Sequence, residues 1–426
     1  MELRELQERI DSAVEERRES IIGLVQELVR VPSVVGSGRE GEAQAIVLRE
    51  LSKLGTTPDV WEPDLEELRR HKAFVPVARD YENRPNVVAV VKGRGGGRSL
   101  AFNGHIDVVP VDPNTTWEHG PWSGDRVDNR IHGRGSADMK GGVAAGIVAL
   151  QVLKDLGVEL KGDVAFHSVS DEEDGGNSTL ACILRGYTAD ATVFLEPTGP
   201  ALTFVSSRGA QFFRIRVRGQ EGGIEYRYQI PNAIEKALKV FEAVEAYANW
   251  RESQAHDPLY ALHPTKIPVG VCKIQGGAWP STVPGECLLE GSLECLPGED
   301  IREVREQFRA YILQAASTDP WLKDHPPEVE WFGLMLESGL TGPDAPLVKT
   351  LQTVAEAVTG QAPLAIGGGG SDLRLPVLYG RSQAVLFGPG GGPIHSVDEW
   401  VDIDQVVAVT KIAARLACEW CGVAVA

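Results

Sequence analysis

The chemistry-bearing residues of this 426-residue chain gather at the ends of apolar runs. His105 and Asp107 close the run LAFNGHID, and Asp138 sits in the glycine-flanked turn GRGSADMKGG. Glu172 and Glu173 follow DVAFHSV in the turn SDEEDGG, and Glu196 follows ATVFL. A late Gly/Pro-rich segment, FGPGGGPIHSVDEW, adds His395. Two histidines with several carboxylates suit a borderline divalent ion, Zn2+ first, with Co2+ or Mn2+ as substitutes. Two ions about 3.5–4 Å apart need a bridging carboxylate; such a pair polarises a carbonyl and generates hydroxide near neutral pH. Asp138 suits the bridge because its turn is tight. By itself the run 171–174 reads as a solvated acidic turn, the usual fate of clustered charge.

Other chemistries find little support. Ser136 and Ser371 lack a GxSxG elbow, which argues against a serine hydrolase. Of the six cysteines only Cys418 and Cys421 have ligand-like spacing, and without a second such pair they read as free thiols in a helix. The glycines of 93–97 lack a GKS or GxGxxG context, so phosphate binding is not expected. His71, His119, His132, His167, His256, His263 and His325 read as structural or surface residues.

The elements that must position these groups follow from hydropathy. A chain this long divides into two domains. The net charge of −18 argues against nucleic acid and anionic membranes as partners. No apolar run approaches the ~20 residues that span a bilayer, and the N-terminal stretch reads as a charged helix, so a cytoplasmic enzyme is expected. The spacing predicts one long helix over 5–31, stopped by Pro32, and a second over 41–54. Strands are predicted at 86–91, 99–103, 163–169 and 191–195, and a helix at 141–156. Strand, acidic or His-bearing tip, then helix: this repeat makes an α/β sheet with function at the carboxyl ends of its strands. From 211 the pattern alternates as in a half-exposed antiparallel sheet, and a βαββα-like block follows. The α/β pattern is expected to resume near Trp331.

The segments GHIDVVP, GRGSADMKGG, SDEEDGG, LEPTG and FGPGGGPIHSVDEW resemble those of the dinuclear-zinc amidohydrolases related to acetylornithine deacetylase, succinyl-diaminopimelate desuccinylase, aminoacylase and glutamate carboxypeptidase. The resemblance covers nearly the whole chain in order. It implies an α/β fold: a zinc-peptidase-like mixed sheet flanked by helices, with an inserted α+β, ferredoxin-like dimerisation or lid domain. The expected division is 1–207 and 321–426 for the catalytic domain and 208–320 for the insert. It further implies that His105 binds one zinc with Asp107 orienting its imidazole, and that Asp138 bridges. Glu196 then completes the first ion's set, Glu173 and His395 the second's, and Glu172 is the general base. The implied activity is hydrolysis of a small N-acyl amino acid or N-acyl amine, in a homodimer.

Two departures from the family pattern bear on substrate and rate. Gly223 stands where relatives carry a histidine that helps stabilise the oxyanion, and Glu294 stands about where many have an arginine. Arg208, Arg227 and Arg374 are the candidate replacement cations, with Asn232 a further candidate substrate contact. The alternatives are a formylaminopyrimidine deformylase, a dipeptidase, or a metal-binding relative with little turnover.

Overall fold

Continuous apolar runs, the pattern of strands covered on both faces, build the first sheet. In the computed structural model, which describes residues 3–77 and 79–424, this sheet has nine strands. Its order is Asp59–Trp61, Asn86–Val91, Val164–Val169, Leu100–His105, Ala191–Phe194, Gln383–Leu386, Leu202–Ser207 and Gly339–Leu340, with Leu364–Gly368 also pairing Leu202–Ser207. The four strands from Val164–Val169 to Gln383–Leu386 run parallel to one another. Antiparallel strands flank them. Four parallel neighbours end on the same edge, so the loops carrying His105, Glu172–Glu173, Glu196 and His395 all leave the sheet there.

The helix Gly141–Asp155 packs against Ile403–Cys421 and delivers Asp138 from its widened first turn, Ser136–Lys140. Its approach to the sheet requires glycine: a methyl at Gly142 would overlap the carbonyl oxygen of Leu195, the residue before Glu196. The helix Ile403–Cys421 buries Cys418 and Cys421, and burial pushes both thiols up to about 12. The long N-terminal helix divides at Arg17 into Leu3–Glu16 and Arg18–Val29. Between the buried Val14 and Ile21 the residues are Glu, Arg and Ser, so no apolar stripe carries one helix through.

A second unit comprises Ser207–Ser338 and Gly367–Gly370. Its antiparallel sheet has the order Val269–Gly276, Glu286–Cys295, Gly209–Arg218, Glu328–Leu336. Phe213, Ile215 and Val217 alternate onto a core shared with the helices Ala233–Gln254 and Ile301–Ala316. Where the sequence reading returns to the catalytic domain at 321, the structure continues this unit. Trp331 lies in Glu328–Leu336, which pairs with Gly209–Arg218 and completes a βαββαβ ferredoxin-like order. An alternating nine-residue strand looks the same on a mixed or an antiparallel sheet, so pattern alone misassigned it.

Asp319 ties this unit together. It caps Pro320–Asp324 through the amides of Trp321 and Leu322, and accepts from Lys236 Nζ at 2.8 Å and Lys239 Nζ at 2.7 Å. Burial alone would raise its carboxyl, but these donors outweigh burial and hold it well below the usual range.

Two outcomes follow for stability. Gly142→Ala is expected to destabilise the chain by about 1–3 kcal/mol, read as a lowered midpoint in chemical denaturation. Asp319→Asn is expected to lower stability at pH 7 by ~1–3 kcal/mol. A depressed folded pKa contributes stability above the unfolded value of about 3.9 and loses it as pH falls further. The wild-type advantage should therefore shrink as pH falls below about 4 and vanish only below the depressed folded pKa; an advantage that stays constant from about pH 5 down to about pH 2 would refute the charge argument.

Candidate metal centre

Asp138 is the centre of the cluster. Its Oδ1 lies 3.1 Å from His105 Nε2 and its Oδ2 lies 3.1 Å from His395 Nε2. His105 Nε2 is also 3.9 Å from Glu196 Oε1, and His395 Nε2 is 3.2 Å from both carboxylate oxygens of Glu173. Among the described residues, His105, Asp138 and Glu173 each bring one ligand atom within 4.8 Å of the others. Asp138 has backbone angles φ −112 and ψ 92, outside the range of the helix that follows. His395 sits at φ 57, a left-handed conformation uncommon for a non-glycine residue.

Asp107 joins two of these elements. Nδ1–H of His105 donates to the Asp107 carbonyl oxygen at 2.9 Å, which leaves Nε2 as the free ligand atom. The Asp107 carboxylate is 3.6 Å from the same ring nitrogen. It accepts instead from the backbone amides of Glu172, at 3.1 Å, and Glu173, at 3.1 Å. One residue thus orients the imidazole through its carbonyl and fixes the acidic turn through its side chain. The turn explains how adjacent glutamates can both serve the site: their amides converge on one acceptor.

The electrostatics are those of crowded acids. Burial pushes the Glu172 carboxyl well above its ordinary range, and the charges of Asp372 and Glu196 add to this. Burial likewise raises Glu196 and Glu173, against the attraction of the nearby histidines. Asp138 goes the other way: the two imidazoles outweigh its burial and hold it low. His395 is pushed up to about 10 by its hydrogen bonds with Asp138 and Glu173. His105 is raised too, its carboxylate partners overcoming complete burial. More acid than imidazole surrounds Asp138, and the set of imidazole nitrogens and carboxylate oxygens matches what a borderline divalent cation takes. His105, Asp138 and Glu196 would hold one ion, and Glu173 and His395 with Asp138 a second.

The candidate substrate contacts are differently placed. Arg208 Nε donates to Glu294 at 2.6 Å and its Nη1 to the Lys266 carbonyl, so its charge is already met. Arg374 is buried and donates to the carbonyls of Gly175, at 2.8 Å, and Ser371. Asn232 caps Ala233–Gln254 by accepting from the Ile234 amide. Arg227 alone of the four is open, 48% exposed with a loose 3.6 Å pairing to Glu235. The space at Gly223 is taken by the Glu225 carboxylate.

Two residues escaped the sequence reading. Asp372 is buried, keeps Oδ2 without a partner among the described residues, and packs on Gly176 beside the acidic turn. Glu399 is buried beneath the Asp138 turn. The signal for Glu399 was its place in the segment FGPGGGPIHSVDEW that carries His395; for Asp372 it was an acid closing the glycine run GGGGSD.

The model of peptidase family M20/M25/M40 matches residues 101–419, which includes every metal-ligand candidate above. The chain belongs to that family. It is an amidohydrolase, and its relatives agree. It is 30% identical over 445 residues to an N-formyl-4-amino-5-aminomethyl-2-methylpyrimidine deformylase of Halalkalibacterium halodurans, covering 97% of each chain. It is 29% identical over 407 residues to a succinyl-diaminopimelate desuccinylase of Gluconobacter oxydans, covering 92% of this chain and 95% of the relative. In fold it resembles the crystal structure of human carnosine dipeptidase 1, with a TM-score of 0.76, 17% identity and coverage of 98% and 99%. No helix among the described residues is long and apolar enough to cross a membrane.

Asp107→Asn tests the link between strand tip and turn. It is expected to weaken divalent-metal affinity about 10–100-fold with little change in midpoint temperature, measured by competition with a chromogenic chelator. Unchanged affinity would disconnect Asp107 from the ligands.

Proposed function

We propose that this protein hydrolyses the N-formyl group of a small amine, using two zinc ions held by His105, Asp138, Glu173, Glu196 and His395. The observation that carries the metal reading is the placement of one imidazole on each oxygen of Asp138, both at 3.1 Å. Bound there, a divalent pair would polarise the scissile carbonyl and lower the pKa of the attacking water. Glu172 is the proton carrier. Its carboxylate takes the proton from water and returns it to the leaving nitrogen, so that formamide and water become formate and amine. Burial and the neighbouring Asp372 and Glu196 raise its proton affinity, which suits a group that must accept and then release a proton near neutrality.

The formyl reading over an N-acyl amino acid is supported by the cations. Arg208 is paired with Glu294 and Arg374 is buried on backbone carbonyls, so neither is free for a substrate carboxylate. Arg227 keeps open the second reading, an N-acyl amino acid such as an N-succinyl one, because its guanidinium is exposed. Gly223 bears on rate: if the missing histidine limits turnover, Gly223→His raises it, provided Glu225 moves aside.

The reading places the enzyme in the cytoplasm as a homodimer. Six unpaired cysteines suit a reducing compartment. The edge strand Val269–Gly276 of the inserted unit is largely exposed, and an open edge favours pairing with a second copy.

The test is an activity panel of N-formyl, N-acetyl and N-succinyl amines and dipeptides on metal-reconstituted protein. N-formyl amines should be the fastest, and Glu172→Gln should lower kcat about 10²–10⁴-fold with metal content unchanged. Activity indifferent to both the substitution and a chelator would sink the mechanism.

A further inference from the structure

Asp138 can bridge only if its backbone is held, and the helix it precedes does not hold it: Asp138 and Met139 both leave helical φ and ψ. The amides of Ala137 and Asp138 point instead at one buried carboxylate. Glu399 Oε1 accepts from Ala137 N at 3.1 Å and from Asp138 N at 3.2 Å. The other oxygen, Oε2, accepts from Arg134 Nη1 at 2.5 Å, with the two side chains 0% and 4% exposed. The pair is anchored on both sides. Glu399 immediately precedes the strand Trp400–Asp402, which pairs with Arg130–His132, and Arg134 follows that second strand. The Gly133 amide donates to the Glu399 carbonyl at 2.8 Å, and the Arg134 guanidinium lies over the Trp117 ring. Glu399 is also four residues beyond His395 in the same segment. A shift of Glu399 would therefore move the bridging carboxylate and the second imidazole relative to each other.

We propose that Glu399, held by Arg134, is a positioning residue for the metal centre: it grips the backbone of Asp138 and so sets how Asp138 faces both histidines. A buried carboxylate gripping two amides is a charge-assisted arrangement, stronger than a neutral acceptor would make. Its charge needs the guanidinium, because an unpaired buried carboxylate is costly. Neutralising either partner loosens the Asp138 turn without touching a metal ligand. The inference rests on the two-metal reading of the site.

The experiment measures Zn2+ affinity of the full chain by chelator competition, and the visible spectrum of the Co2+-loaded protein, for wild type, Glu399→Gln, Arg134→Met and Arg134→Lys. Glu399→Gln and Arg134→Met are expected to weaken metal binding about 10–100-fold, to change the Co2+ spectrum, and to lower kcat with KM within about twofold. Arg134→Lys keeps a cation and should recover most of the affinity lost in Arg134→Met. Wild-type affinity and spectrum in variants that have only a lower midpoint temperature would overturn the proposal, reducing the pair to a structural ion pair. If Glu399→Gln does not fold, the Arg134 variants decide in the same way: equal affinity in Met and Lys forms overturns it. Wild type that takes up no divalent metal would instead defeat the metal reading itself, and this inference with it.

Discussion

One carboxylate shared between two imidazoles organises the catalytic unit. Asp138 faces His105 and His395 at equal distance, and Glu173 and Glu196 crowd around the same two imidazoles. Like charges about 4 Å apart repel by roughly 4 kcal/mol at an effective dielectric of 20, so the side chains do not gather by themselves. The backbone gathers them. Four parallel strands end on one edge, and each contributes a tip. Burial first, and this repulsion in addition, push the carboxyls of Glu172, Glu173 and Glu196 up. A divalent cation bound among them would relieve it.

Backbone amides do the fine positioning. Asp107 and Glu399 share one arrangement: each is a buried carboxylate that accepts from two successive amides, those of Glu172 and Glu173 and those of Ala137 and Asp138. Both turns depart from regular structure and have few backbone bonds of their own, from Lys140 N to Gly135 O across one and from Gly175 N to Glu172 O across the other. Gly142 adds the third constraint by letting the helix behind Asp138 lie against the strand end before Glu196. The inserted unit has its own economy of charge. Glu294, an acid at a position where an arginine was anticipated, captures Arg208, and the two neutralise each other within the unit.

Much of the catalytic unit was legible because its signals are local. Apolar runs of strand length ending in His or acid predict buried strands with functional tips, and His105, Asp138, Glu173, Glu196 and His395 do come together in the structure. What failed was also local in cause. The helix over 5–31 was read across a polar gap that cannot hold an apolar stripe. The strand Glu328–Leu336 went to the wrong unit, since alternation records a half-exposed strand without naming its neighbour. Arg208 and Arg374 were candidates by charge and Asn232 by its place in the family pattern, and each has an internal partner.

The sequence by itself determined the donor types, their order, and the strands and turns that present them, because side-chain chemistry and short-range periodicity are properties of the chain. Only the tertiary structure decided which acids meet. Asp372 lies 200 residues from Glu172 and adds to the rise in its proton affinity that burial causes. Glu399 reaches back 261 residues to the Asp138 amide. Partnerships at that separation depend on how the chain returns upon itself, and no local pattern encodes the distance between two buried charges.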